Sequence, residues 1–194
     1  MSEAGRVIAG SARGLRLRAP GEGTRPLADR VKQTLFAILE PDLADARVLD
    51  LFAGSGAGGI EALSRGAAAA VFVERDAGAA RTIADNLAST HLAERGRIVR
   101  SDVPAYLRDR AGEDGPFDLV LVDPPYVDTA LMDATLAALA DAGAGLIRSG
   151  AWVVAKHFWR TPPVQAIGLL ASVRTRRFGE TTLTFYRPTE EPAR

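Results

Sequence analysis

The sequence predicts an α/β protein organised on a mostly parallel sheet and closed by an antiparallel hairpin. Three observations carry this. Between Arg47 and Lys156 short apolar runs alternate with helical patterns, the order of consecutive βα units. One such run, residues 48–52, leads into Ala53-Gly54-Ser55-Gly56-Ala57-Gly58-Gly59, a glycine-rich strand-to-helix turn. The alternation then breaks, and residues 172–178 and 182–187 flank Gly179-Glu180 as the two arms of a hairpin.

Taken in order, residues 6–10 and 14–18 read as an N-terminal β-hairpin around Ser11-Ala12-Arg13. In its second arm Leu15 and Leu17 alternate with Arg16 and Arg18, the period of a strand with one wet face. Val7, Ile8, Leu15 and Leu17 are the side chains with which this hairpin would pack on a core, unless it folds only against a partner. A loop is expected at 20–24. Val31, Leu35, Ile38 and Leu39 then mark an amphipathic helix over 27–40, stopped by Pro41. The repeat predicts strands at 48–52, 70–73, 97–99, 117–122 and 152–156. Helices are expected at 58–65, 77–89, 104–110 and 130–142, the third opened by Pro104. Ser149-Gly150 reads as a turn before the strand at 152–156. The last seven residues read as a frayed tail.

The 194 residues are 47% hydrophobic and 25% charged, sufficient for an ordinary core. The absence of cysteine excludes disulfides, cysteine-ligated zinc, iron–sulfur clusters and cysteine nucleophiles. His91 and His157 have no ligand spacing, so no metal is expected. No apolar run reaches membrane-spanning length and no signal-peptide core is present, which points to the cytoplasm. Net charge is zero but unevenly placed. Residues 1–39 carry seven basic and three acidic side chains, residues 40–145 nine and eighteen, and residues 146–187 seven and one. Basic flanks around an acidic centre suit a cationic cofactor and a polyanionic partner. An arginine-rich composition (22 Arg, 2 Lys) is the plainer source of such clusters.

Leu119-Val120-Leu121-Val122-Asp123-Pro124-Pro125-Tyr126 holds the most specific chemistry. The apolar run suits a strand buried on both faces, and two prolines force a turn at its carboxyl end, where ligands bind in open α/β sheets. Such a turn suits attack by a planar amine. The Asp123 carboxylate and the Pro124 carbonyl would accept the amine N–H bonds and localise its lone pair, while Tyr126 stacks on the ring that bears it. A capped Pro-Pro turn with a packed tyrosine is the alternative.

Gly54, Gly56 and Gly59 also match the dinucleotide pattern, with Glu74 twenty residues beyond Gly54 where a ribose-binding acid belongs. A nicotinamide cofactor and S-adenosylmethionine both fit that pattern. Asp50 and Phe52 precede the turn, Asp102 follows the third strand and Asp123 the fourth. Asp50 would repel a pyrophosphate and welcome an ammonium, and Asp102 would accept from an adenine amino group. Four acids at successive strand ends (Asp50, Glu74, Asp102, Asp123) favour the sulfonium cofactor. Trp152 reads as core, Trp159 as core or a platform for a base, and Asn86-Leu87 as ordinary helix surface and core.

Several stretches carry a family resemblance: Arg6-Val7-Ile8-Ala9-Gly10 with Arg13-Gly14, Arg25-Pro26 with Asp29-Arg30-Val31, Thr34-Leu35-Phe36, Asp50-Leu51-Phe52-Ala53-Gly54-Ser55-Gly56, Glu61-Ala62-Leu63-Ser64-Arg65-Gly66-Ala67 and Asp123-Pro124-Pro125-Tyr126. In these the chain resembles a class I S-adenosylmethionine-dependent methyltransferase, and more narrowly the bacterial 16S rRNA (guanine(966)-N(2))-methyltransferase family. It departs from that family at Leu27, where threonine is usual, and at Lys32 and Gln33, where Arg and Glu are usual. The resemblance implies a Rossmann-like, seven-stranded sheet with helices on both faces. It also implies monomeric action on 16S rRNA within the small ribosomal subunit or its assembly intermediate. A basic extension over 1–24 and a methyltransferase domain over 25–194 are expected. Asp123, Pro124 and Tyr126 are the catalytic candidates. Asp50, Phe52, Gly54, Gly56, Glu74, Asp102 and Asp123 are the cofactor candidates, and Arg6, Arg13, Arg16, Arg18 and Arg30 the RNA candidates. Rival readings keep the class with a DNA adenine or a protein glutamine as acceptor, or replace it with a nicotinamide oxidoreductase or a catalytically silent RNA-binding module.

Overall fold

Three short and mostly apolar runs, residues 48–51, 70–73 and 119–122, become buried strand segments. The computed structural model describes residues 3–21, 29–109, 111–126 and 128–189. They fall into two compact units, Met1–Asp102 and Val103–Arg194.

The first unit opens with β1 (Glu3–Arg6) and β2 (Arg16–Arg18), an antiparallel hairpin. α1 (Asp29–Leu39) follows; the expected start of this helix and the Arg25-Pro26 pair fall outside the described residues. Next come β3 (Arg47–Leu51), α2 (Ala57–Ser64), β4 (Ala69–Glu74), α3 (Ala77–Ser89) and β5 (Gly96–Arg100). The three core strands are parallel in the order β5-β4-β3. Phe36, Leu49, Leu51, Ile60, Phe72 and Ile83 are buried among them. α1 buries Phe36 and Lys32 beside Val31, Leu35 and Leu39, while Ile38 stays half-buried.

The hairpin is shorter than expected because a helix takes over its backbone. Ile8 and Ala9 donate to the Glu61 carboxylate (2.7 and 3.1 Å), Ala12 donates to Ser64 Oγ (2.9 Å), and Ser11 donates to the Ser64 carbonyl (2.8 Å). A side chain at Gly10 would place its Cβ 1.8 Å from that carbonyl, so only glycine allows the approach. The hairpin therefore docks on α2, with Val7 and Leu17 buried, Ile8 half-buried and Leu15 exposed. At its other end Arg18 N donates to Asn86 Oδ1 (2.8 Å) and Arg18 O accepts from Asn86 Nδ2 (3.0 Å). Asn86 is thus a fully buried anchor rather than the ordinary surface position expected.

The second unit holds α4 (Val103–Asp109), α5 (Ala111–Asp114), β6 (Phe117–Val122), α6 (Thr129–Leu139), β7 (Ile147–Phe158), β8 (Ala166–Ile167), β9 (Leu170–Phe178) and β10 (Thr181–Pro188). Its strands run in the order β6-β7-β10-β9-β8. β6 and β7 are parallel, and β10 lies antiparallel between β7 and β9, which confirms the closing hairpin. β8 adds two residues at the far edge.

Two expectations are corrected here. Ser149-Gly150 is not a turn before the strand but part of β7. Phe117 pairs with Ile147 and Leu119 with Trp152, so the residues between form a bulge in a strand that has already begun. α6 stops at Leu139 rather than at 142, because Asp141 accepts from Gly143 N (2.9 Å) and starts a separate turn. Trp152 is only half-buried. It meets Phe185 edge-on at 6.0 Å and carries the Arg187 guanidinium 3.5 Å from its ring centroid. Among the described residues no helix is long and apolar enough to cross a membrane.

His157 is buried on β7, with Nδ1 2.9 Å from Phe158 O and Nε2 2.9 Å from Thr184 Oγ1. Burial pushes its pKa down, so the unfolded chain binds a proton that the folded chain refuses. This stabilisation is complete above about pH 6.5 and declines as pH falls below it. The melting temperature should drop between about pH 7.5 and pH 5.5, and His157→Gln should narrow that drop. An equal drop in the variant would assign the acid sensitivity to other groups.

Candidate active site and cofactor turn

β3 delivers the chain into the glycine turn in a strained form. Phe52 sits at φ +60°, Gly54 at +56° and Gly56 at +75°, the last capping α2. A left-handed phenylalanine is unfavourable and persists only where neighbours fix it. Two acids do so. Glu74, at the end of β4, accepts from Gly54 N (2.9 Å) and from Asp76 N (2.8 Å). Asp50, buried within β3, accepts from Gly59 N (2.8 Å) in the first turn of α2. A Cβ on Gly59 would lie 2.4 Å from the Phe72 ring, so the helix also needs glycine to pack on β4.

These bonds decide what the turn can hold. A phosphate-binding turn aims its free N–H groups at the anion. Here the Gly54 and Gly59 N–H groups are spent on carboxylates, and the added charge is negative. That disfavours a pyrophosphate and suits a cation. Each Glu74 oxygen has taken one backbone donor and keeps a lone pair for a ribose hydroxyl. Asp102 is exposed two residues past β5. Glu74 and Asp102 thus lie at the carboxyl ends of adjacent parallel strands, while Asp50 acts from within the neighbouring β3.

In the second unit Asp123 follows β6 directly. Both of its carboxylate oxygens accept from Lys156 Nζ, at 2.8 and 2.7 Å. The Lys156 side chain is 12% exposed and that of Asp123 35%. Burial alone would lower the Lys156 pKa, but the Asp123 carboxylate outweighs it and holds the ammonium above its ordinary range. Burial pushes the Asp123 carboxyl up, and the Lys156 ammonium opposes that shift. The ammonium also lies 5.3 Å from the centroid of Tyr126. Tyr126 is fixed by a 2.9 Å bond between its hydroxyl and Thr181 Oγ1 and by the Phe158 ring, 6.4 Å away between centroids. Pro125 O accepts from Asp128 N (3.0 Å) within the turn. A shallow groove opens beside the turn, lined by Pro124, Tyr126, Met132, Lys156 and Phe158.

Lys156 was not foreseen as part of the site. Its signal lies in composition: the chain has only two lysines beside twenty-two arginines, and both are buried or nearly so. Asn86 was missed as well. Besides holding Arg18, its Nδ2 donates to Ser55 O (2.9 Å), which ties the hairpin to the glycine turn. The arginine candidates of the N-terminal region are exposed side chains. Arg13, Arg16, Arg18 and Arg30 are exposed, and Arg6 faces Arg16 across the hairpin. Arg6 pairs with Asp29 at 3.4 Å and Arg18 with Asp85 at 3.2 Å.

The model of the family described as "Conserved hypothetical protein 95" matches residues 5–187. This chain belongs to that family. A Bacillus subtilis relative, "Putative rRNA methyltransferase YlbH", is 37% identical over 94% of this chain and 98% of its own length. The Escherichia coli protein "Ribosomal RNA small subunit methyltransferase D" is 43% identical over 71% of this chain and 68% of its own. The solved structure "Putative methyltransferase yhhF from Escherichia coli" superimposes with a TM-score of 0.82 at 34% identity, covering 99% of this chain and 100% of that one. The fold is therefore the Rossmann-like class I methyltransferase fold expected from the sequence.

Asn86→Ala should cost about 1–3 kcal/mol for each buried backbone group it leaves unsatisfied. It should also weaken cofactor binding, because the Ser55 carbonyl loses its partner. Calorimetry and thermal melts test this. Parent-like values in both would show that the hairpin and the turn do not depend on the amide.

Proposed function

We propose that this chain transfers a methyl group from S-adenosylmethionine to the exocyclic N2 of a guanine in 16S rRNA of the small ribosomal subunit. It acts as a monomer in the cytoplasm on the subunit or an assembly intermediate, and residues 1–24 extend a methyltransferase domain over 25–194. The observation that carries the catalytic part is the Asp123 carboxylate, held on a Pro-Pro turn by two bonds to one ammonium. The relatives named as rRNA methyltransferases favour rRNA over a DNA adenine or a protein glutamine as acceptor.

S-adenosylmethionine supplies an electrophilic methyl carbon. The protein's own task is to make a guanine amine nucleophilic. That nitrogen is flat because its lone pair is delocalised into the ring. Asp123 and the Pro124 carbonyl accept its two N–H bonds and bias it toward a tetrahedral shape. Lys156 donates to both Asp123 oxygens and opposes the upward push of burial, which favours the carboxylate form as the acceptor, and Asp123 receives the proton that the amine releases on methylation. Tyr126 offers a ring already fixed by Thr181 for the base to stack on. In the first unit Glu74 would hydrogen-bond the ribose, Asp102 would accept from the adenine amino group, and the Phe52–Gly56 turn would hold the remainder.

Small subunits from a strain lacking the enzyme, incubated with the protein and labelled S-adenosylmethionine, should take label at one guanine of 16S rRNA. Label on protein, on DNA or nowhere overturns the substrate. Asp123→Asn should lower single-turnover methylation by about 10²–10⁴-fold with little change in cofactor affinity; a parent-like rate removes Asp123 from the chemistry. Lys156→Met leaves the carboxylate without its cation, so Asp123 should protonate at higher pH. The acid limb of the single-turnover pH profile should then move upward, with Lys156→Arg closer to the parent. An unmoved limb in Lys156→Met would reduce the ion pair to a structural contact.

A further inference from the structure

The carboxyl-side edge of the second unit's sheet holds cations outside the catalytic turn. Strand register gathers them. Val122 pairs with Ala155, so the Asp123 turn lies beside Lys156 and Phe158. Phe158 pairs with Thr181 of β10, and Thr181 with Phe178 of β9. The tip of the β9–β10 hairpin therefore lies at the same edge as the Asp-Pro-Pro-Tyr turn. Arg176 pairs with Leu183, and Leu183 with Lys156. Cross-strand partners share a face, so Arg176 stands on the Lys156 side of the sheet, two strand spacings or about 10 Å away.

On the other side of this edge two guanidinium groups share one indole. Arg177 lies 3.8 Å and Arg160 4.8 Å from the Trp159 ring centroid. Arg177 Nε also donates to Gly179 O (2.8 Å), and Trp159 N donates to Glu180 O (3.0 Å). Arg160, Arg176 and Arg177 are exposed, and residues 146–187 contain seven basic side chains against one acidic. A stacked guanidinium loses less freedom when it grips a phosphate, and its N–H edges remain available.

We infer that Arg160, Arg176 and Arg177, with Trp159 holding two of them, form a second RNA-contacting surface that clamps the phosphates flanking the target nucleotide. This rests on the rRNA reading above and adds to the N-terminal arginines a contact beside the acceptor turn. The plainer account is charge that protects an open strand edge, since β8 covers β9 only at Leu170 and Ala171. Edge protection needs charge alone. It does not need an indole to hold that charge in place.

The test is binding of the full chain to unmethylated small subunits over a salt series. Arg160→Gln/Arg176→Gln/Arg177→Gln should flatten the slope of log affinity against log salt by about 0.7–0.9 for each lost contact. KM for subunits should rise, while kcat at saturation, cofactor affinity and melting temperature stay near the parent. Arg176→Gln alone provides the same reading if the triple variant folds poorly. Trp159→Leu keeps every charge, and should weaken binding several-fold with little change in slope. A parent-like slope and KM in the arginine variants overturn the surface, and parent-like affinity in Trp159→Leu overturns the role given to the ring. Failure of the rRNA reading itself looks different, because the parent protein would then neither bind nor label small subunits.

Discussion

A carboxylate sealed from water is tolerable only when its oxygens are filled, and the first unit is arranged around one such group. Glu61 has no exposed surface. Its Oε2 takes the N–H of Ile8, and its Oε1 takes both the N–H of Ala9 and the Arg65 guanidinium at 2.8 Å. Removing any of these donors would leave a buried charge partly bare, at a cost of several kcal/mol. The constraint runs outward from there. The Glu61 bonds draw the hairpin backbone onto α2, Gly10 must then be glycine, and Ser64 closes the next turn. α2 in turn begins at the glycine turn, which is held by Glu74 on Gly54, Asp50 on Gly59 and Asn86 on Ser55. Hairpin, helix and cofactor turn thus share one set of buried hydrogen bonds. An arginine-bearing arm that grips RNA would be rigidly continuous with the turn that grips the cofactor.

The same logic explains why like charges tolerate each other across the hairpin. Arg6 and Arg16 are register partners, an arrangement that ordinarily destabilises a two-stranded ribbon. Arg6 is relieved by Asp29, and its backbone carbonyl accepts from the Lys32 ammonium. The hairpin backbone is also held from outside by Glu61, Ser64 and Asn86.

Much of this was legible in the sequence, and for identifiable reasons. The bounds 77–89 and 117–122 agree with α3 and β6, because Asp76 caps the one and two prolines stop the other. The glycine turn was legible because its glycines have steric causes in single residues. Asp123 and Tyr126 were legible because Pro-Pro fixes where they stand. What escaped depended on contacts between distant positions. Nothing near Glu61 in the chain announces that residues 8 and 9 will donate to it, and nothing beside Asn86 points to Arg18 or Ser55. The Ser149-Gly150 error has the same origin. Both residues favour turns, and only pairing with β6 turns them into a bulge. Lys156 escaped because a lysine near a strand end is ordinary until Asp123 is placed next to it.

The two lysines show how composition can carry such information after all. The chain uses arginine for twenty-two of its twenty-four basic positions. An arginine brings five donors in a rigid plane and suits a surface where water or phosphate can meet all of them. Buried, it must find a partner for each. An ammonium has three donors on a compact head, which a small buried cluster of oxygens can satisfy. Lys32 gives one bond to the Arg6 carbonyl and lies 3.6 Å from Asp29, with burial pulling its pKa down and Glu61 and Asp29 pulling it back. Lys156 spends two bonds on Asp123 and turns toward the Tyr126 ring. In a chain that otherwise chooses arginine, lysine stands where the number of available acceptors is small. One such position braces the hairpin against α1. The other gives both of its bonds to the Asp123 carboxylate beside the Tyr126 ring.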